Sequence, residues 1–375
     1  MDNPFIIKAY ESKDLFCDRE TELQSLLCNC TNHADTTLIS QRRMGKTGLI
    51  LRLFDELSDT HPEIHTIYAD IFPSRSLNDF IKLLAEAALR AFPPKSSIGE
   101  KFISFVKALR PQISFDQITG EPQLQITYQT VHEKEYTLRS LFDFLDSQNA
   151  PIVMAIDEFQ QIREYPEENT EALLRSYIQH IKNITFIFCG SKKHIMTDIF
   201  ANARKPFYSS TAFLSLDRIP KDKYQPFIAH LFNQSKRTIS DEALDFILEW
   251  TRRHTYYTQQ LCHTIYANGY PNICIDEVKT ACSQILKEGE PIFLQYRQML
   301  TEKQWGFLIA VAKEGEVRQI NSGGFLKKHS IGTPSAARRL ADSLTEKGLL
   351  NTDITLNGTT YSIGDVFLSH WLERL

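Results

Sequence analysis

The sequence lacks the marks of an exported or membrane-bound chain. No apolar run approaches the roughly 20 residues that a membrane-spanning helix needs. The opening stretch, MDNPFIIKAYESKDLF, has neither a basic n-region nor a long apolar core, which argues against a signal peptide. Its seven cysteines include no C-x-x-C pair, and the single residue between Cys28 and Cys30 is too tight for the usual zinc spacing. An odd number of unpaired thiols suits a reducing compartment, so a cytoplasmic location is expected. Neither charge sign dominates: the net charge is -4, and nothing global advertises nucleic acid or an acidic membrane surface. What remains is an ordinary globular composition, 42% hydrophobic and 23% charged, over 375 residues, enough for two or three domains.

A glycine is missing at one telling place. LISQRRMGKTGLI, from Leu38 to Ile50, carries the right-hand end of a phosphate-binding loop, Gly45-Lys46-Thr47. The pattern G-x-x-x-x-G-K-[ST] asks for another glycine at position 40, where Ser40 stands. The context is right. DTTLIS reads as a buried strand, and KTGLILRLFDEL as a helix with Leu49, Leu53 and Leu57 on one face. At such a junction the amides from Met44 to Gly48 would turn toward an anion at the helix N-terminus. Gly45 lets the backbone approach phosphate closely. Lys46 would reach the β- and γ-phosphates and Thr47 would ligate Mg²⁺. Ser40 sits where the chain leaves the strand. A small residue in an ordinary conformation is expected to be tolerated there.

PIVMAIDEFQQI supplies the partner motif. Ile152 to Ile156 read as a strand buried on both faces, ending in Asp157-Glu158. In this Walker B arrangement Asp157 would hold Mg²⁺ through water, and Glu158 would polarise the water that attacks the γ-phosphate. A third apolar strand, in NITFIFCGSKKHI, ends at Gly190-Ser191. Ser191 is either a polar contact to the γ-phosphate and its water or a plain helix cap.

Taken in order, these segments resemble the prokaryotic AAA-type ATPases of the archaeal-ATPase group, placed among the STAND P-loop NTPases. LFCDRETELQSLL resembles the box F-x-G-R-E-x-E-L that flanks adenine, which implies nucleotide contact by Arg19. SQRRMGKTGLI resembles the loop G-x-R-R-x-G-K-T, including Arg42 and Arg43, and FIFCGSKKHIM resembles the sensor strand. Asp18 replaces the glycine of the first box, and Ser209-Ser210 follow Tyr208 where many relatives carry an arginine. In RRHTYYTQQLC, His254 and Thr255 stand where the family has its Gly-Pro region. The resemblance implies a three-layer α/β P-loop core with a parallel sheet, a helical lid and a C-terminal winged helix. It also implies ATP or ADP with Mg²⁺, and slow hydrolysis that switches domain arrangement.

The remaining segments fill that plan. The core is expected over 1–216, the lid over 217–295 and the winged helix over 296–375. A hairpin insertion at about 111–129 is expected around a turn at Thr119-Gly120-Glu121-Pro122, either as a protein-partner element or as surface decoration. Lid helices are expected from SDEALDFILEWTRR, capped by Ser240, from YYTQQLCHTIYANG and from CIDEVKTACSQILKEG. A helix capped at Thr301, a short helix in FLKKHSI, a helix opening Thr333-Pro334 and a hairpin across Asn357-Gly358 predict helix, helix, helix and wing. The third helix carries Ser335, Arg338 and Arg339. From Thr301 onward, nine basic residues face eight acidic ones, too even a balance to favour phosphate binding. A module packed on the core, as in STAND-like relatives, is therefore preferred to DNA binding. Three alternatives stay open: a non-hydrolysing nucleotide-binding scaffold, a DNA-binding regulator, and, more distantly, a small-molecule kinase.

Overall fold

The computed structural model describes residues 3–8, 10–92, 96–108, 112–115, 122–125, 131–148, 150–355 and 358–375. By its contacts the chain divides into two units, one spanning 8–219 and the other joining 220–375 to the first seven residues.

The first unit is built on five parallel strands: β1 (Thr36–Ile39), β2 (His65–Asp70), β3 (Ile152–Asp157), β4 (Ile184–Gly190) and β5 (Ala212–Ser215). Their order across the sheet is β2-β3-β4-β1-β5. The loop-bearing β1 and the carboxylate-bearing β3 therefore both flank β4. Alternation along each strand feeds two cores. Ile152, Met154 and Ile156 of β3, with Phe186 and Phe188 of β4, join one core together with helices Leu77–Ala91 and Val131–Asp146. Val153, Ala155, Ile187 and Cys189 point to the other face, onto Leu26 of helix Glu20–Thr31 and onto Leu49, Leu53 and Leu57 of helix Lys46–Thr60. Helix, sheet and helix make three layers, and burial on both faces explains the unbroken apolar runs of β3 and β4. The predicted hairpin has its two strands, Gln112–Phe115 and Pro122–Gln125, paired antiparallel. Its expected turn at 119–121 lies outside the described residues.

The second unit begins with helices Lys221–Gln234, Asp241–Trp250 and Thr255–Ala267, and a two-strand pair Thr238–Ile239 with Asn272–Ile273. Ser240 caps its helix by accepting from the Ala243 amide. The N-terminal residues belong here as well. Phe5 packs on Phe232 with ring centroids 4.7 Å apart, and the Asn3 amide donates to the His263 carbonyl at 3.0 Å. Nothing in the sequence pattern pointed to that return. Helix Ile275–Met299 follows and runs through position 295. Helices Glu302–Glu314, Gly323–Lys328 and Pro334–Glu346 then precede the hairpin Leu350–Thr355 with Gly358–Ile363, and Glu316–Val317 adds a third short strand. Thr301 and Thr333 cap their helices as the sequence suggests. The hairpin's Asn357 lies outside the described residues. Among the described residues no helix is long and apolar enough to cross a membrane.

Candidate functional site

The candidate site forms at the C-terminal ends of β1, β3 and β4. Ser40 follows β1 directly and is fully buried, and it does not take a positive φ. Its hydroxyl donates to the Gln41 carbonyl at 2.9 Å. The first left-handed residues of the loop are Arg43, at φ 63°, and Gly45, at φ 96°. The turn that a first glycine would ease is thus made further on, which explains how serine fits.

Lys46 opens the following helix, with its side chain only 6% exposed. Its Nζ donates to Ser40 Oγ at 3.3 Å, to the Gln41 carbonyl at 3.4 Å and to the Ser40 carbonyl at 3.5 Å. These are long contacts, and among the described residues Lys46 forms no ion pair. Burial therefore pushes its pKa down, opposed by the nearby Asp157 and Glu158 charges. A buried ammonium held only by weak neutral acceptors is poised for an anion.

Thr47 Oγ1 donates to Asp157 Oδ2 at 2.9 Å, and the Tyr68 hydroxyl donates to the same oxygen at 2.8 Å. The other oxygen of Asp157 accepts from the Glu158 amide at 2.9 Å. Glu158 is left-handed, with φ 55°. Its Oε2 accepts from Ser191 Oγ at 2.7 Å and from the Gln160 side-chain amide. Asp70, beside Asp157 in the β2–β3 register, adds a third carboxylate to this edge. Its pKa is raised first by burial and then by the Asp157 and Glu158 charges. Among the described residues no group of three or more His, Cys, Asp or Glu side chains is arranged to hold a metal ion by itself.

The structure thus brings together Lys46, Thr47, Asp157, Glu158 and Ser191. Met44, within the loop, is buried. Gly48 makes room for Phe16, since a Cβ there would lie 3.2 Å from its ring. The Arg19 guanidinium donates to Glu22 and to the Asp217 carbonyl, so it ties the two ends of this unit together. Asp18, at the family's glycine position, takes φ 59°. Sequence reasoning missed Tyr68 and Gln160. Tyr68 lies between Ile67 and Ala69, and Gln160 lies inside the PIVMAIDEFQQI segment, where only the Asp-Glu pair was singled out.

Against known proteins, residues 291–374 match the family described as a probable winged helix domain. A Walker-type ATPase of Pyrococcus abyssi is similar in fold, with TM-score 0.66 at 17% identity, covering 99% of this chain and 100% of that one. The ORC2 protein of Aeropyrum pernix, solved as ADPNP-ADP complexes, gives 0.61 at 15%, covering 99% and 96%. The ORC1 protein of the same organism, solved in complex with DNA, gives 0.51 at 12%, covering 96% and 93%. No match arises among curated proteins. At these identities the likeness establishes the fold. It is an α/β core on a parallel five-strand sheet, followed by helical parts and, over residues 291–374, the match to a probable winged helix domain.

Proposed function

We propose that the chain binds ATP with Mg²⁺ and hydrolyses it slowly, as a nucleotide-driven conformational switch of the STAND-like kind. The observation that carries this reading is the convergence of Lys46 and Thr47 with Asp157, Glu158 and Ser191 at three adjacent strand ends. Lys46 exchanges its weak carbonyl contacts for phosphate oxygens. The loop amides from Met44 to Gly48 cradle the β-phosphate. Glu158 accepts a proton from water, and Ser191 steadies that carboxylate. Arg19, in the first box, contacts the nucleotide in this reading. Thr47 and Asp157 present hard oxygen donors side by side, a donor set that fits magnesium. When bound, the ion would neutralise charge on the phosphates. The core, lid and winged-helix division at 1–216, 217–295 and 296–375 is part of this reading, as is a cytoplasmic setting.

The test is a pair of measurements on the full chain, ATP affinity and phosphate release, in the wild type and in Lys46→Ala. Loss of both in the variant supports the reading, and equal behaviour removes it.

A second reading, DNA binding, draws on the winged helix and on the fold shared with a protein solved on DNA. Arg338 and Arg339 are exposed on helix Pro334–Glu346. The even charge of this segment weighs against it.

A further inference from the structure

We propose that Gln160 is a positioning residue for Glu158; this rests on the ATPase reading above. Gln160 lies two residues beyond Glu158, in the short 3-10 helix Phe159–Glu164 that begins where the backbone turns left-handed. That turn brings its side chain back onto the carboxylate. Its Nε2 donates to Glu158 Oε2, the same oxygen that Ser191 Oγ holds at 2.7 Å. One donor comes from β3's own exit and the other from the tip of β4. Oε2 is gripped from both sides, and Oε1 is left clear of both donors to receive a proton.

The setting of the amide supports a dedicated role. Gln160 is 3% exposed, and its Oε1 is buried without a hydrogen-bond partner. An unsatisfied buried oxygen destabilises a fold, whereas an apolar side chain of the same length would avoid the loss. The space for the amide exists only because position 190 has no Cβ, which would lie 2.5 Å from Gln160 Oε1. The amide also suits the task. It donates without carrying charge, so it orients the carboxylate without forming an ion pair with it. Its orientation is set by chemistry, since only the nitrogen can face a carboxylate.

The experiment uses the full chain and Mg·ATP, with the wild type and Glu158→Gln assayed alongside. Gln160→Met keeps the length and removes the donor. Its melting temperature should equal or exceed the wild type's, its KM should stay within about twofold, and its kcat should fall about tenfold or more. Gln160→Glu supplies a rescue. At high pH its second carboxylate repels Glu158 and kcat is low. As pH falls, the pair takes up one shared proton, a donor is restored, and kcat relative to wild type climbs. A purely structural role would give a ratio independent of pH. Glu158-dependent turnover in the wild type, matched by Gln160→Met, overturns the positioning role alone. Wild-type turnover that does not depend on Glu158 overturns the ATPase reading and the assignment with it.

Discussion

Thr47 and Asp157 stand 110 positions apart in sequence and 2.9 Å apart in space, hydroxyl to carboxylate oxygen. That contact joins the two motifs into one site, and Tyr68 reinforces it from β2. If these oxygens hold Mg²⁺, Asp157→Asn should keep the fold and weaken the metal's effect. ATP affinity measured with and without Mg²⁺ should differ much less in the variant than in the wild type. An undiminished magnesium effect would place the ion elsewhere.

Ser40 completes the loop without glycine, because the left-handed turns fall at Arg43 and Gly45 instead. Ser40→Gly should therefore change ATP affinity by less than about threefold, or under about 1 kcal/mol. Lys46→Ala should abolish most of it. Titration calorimetry on both variants checks this, and equal large losses would show that the serine hydroxyl beneath Lys46 matters as much as the ammonium.

The motifs and their strands were legible because phosphate chemistry demands fixed residues at fixed spacing, and buried parallel strands show as unbroken apolar runs. Gln160 and Tyr68 were not legible. Tyr68 reaches Asp157 only through the sheet order, whereas Gln160 stands two residues from Glu158 and meets it only because the backbone turns left-handed there; neither residue type has a signature at its place. Arg19 illustrates the reverse. Its box is plain in sequence, but its hydrogen bonds to Glu22 and to the Asp217 carbonyl are visible only in the fold. The helix Ile275–Met299 was readable as a helix over CIDEVKTACSQILKEG but not in its full length, which continues past Gly289 and Pro291. Gly289 lies against Phe293, where a Cβ would come within 2.7 Å of the ring.

Gly190 is needed for packing. A Cβ there would lie 2.4 Å from Met196 Cγ and 2.5 Å from Gln160 Oε1. Gly190→Ala should cost about 1–3 kcal/mol of stability, as overpacked cores do, and slow turnover by moving the amide. Urea unfolding with a parallel assay reads both. An unchanged midpoint would mean that the site relaxes freely.

Asp35 precedes β1 and accepts from the Phe186 amide at 2.8 Å. Burial pushes its pKa from 3.8 up to about 6, partly offset by that amide and by Arg175. Between these values the folded chain holds the proton more tightly than the unfolded chain does. The site therefore loses stability as pH rises from about 4 to 6 and changes little above. Asp35→Asn should stabilise the protein by up to about 2–3 kcal/mol at pH 8 and by roughly half of that at pH 5. Denaturant midpoints at the two values test the sign. A variant less stable at pH 8 would contradict it.

Arg338 and Arg339 point about 100° apart around their helix, so both cannot face one groove equally. With the segment's charge nearly balanced, DNA affinity should be weak in the wild type and in either alanine variant. A titration at low and moderate salt decides. Tight, salt-steep binding lost in one variant would establish a groove-facing arginine.

Glu158 is proposed to activate water on a bound nucleotide, and steady-state phosphate release by Glu158→Gln measures that role. The variant keeps the shape of the side chain and removes the proton acceptor. ATP binding should persist while turnover falls by about 10²-fold or more. Turnover equal to the wild type's, at unchanged ATP affinity, would contradict it.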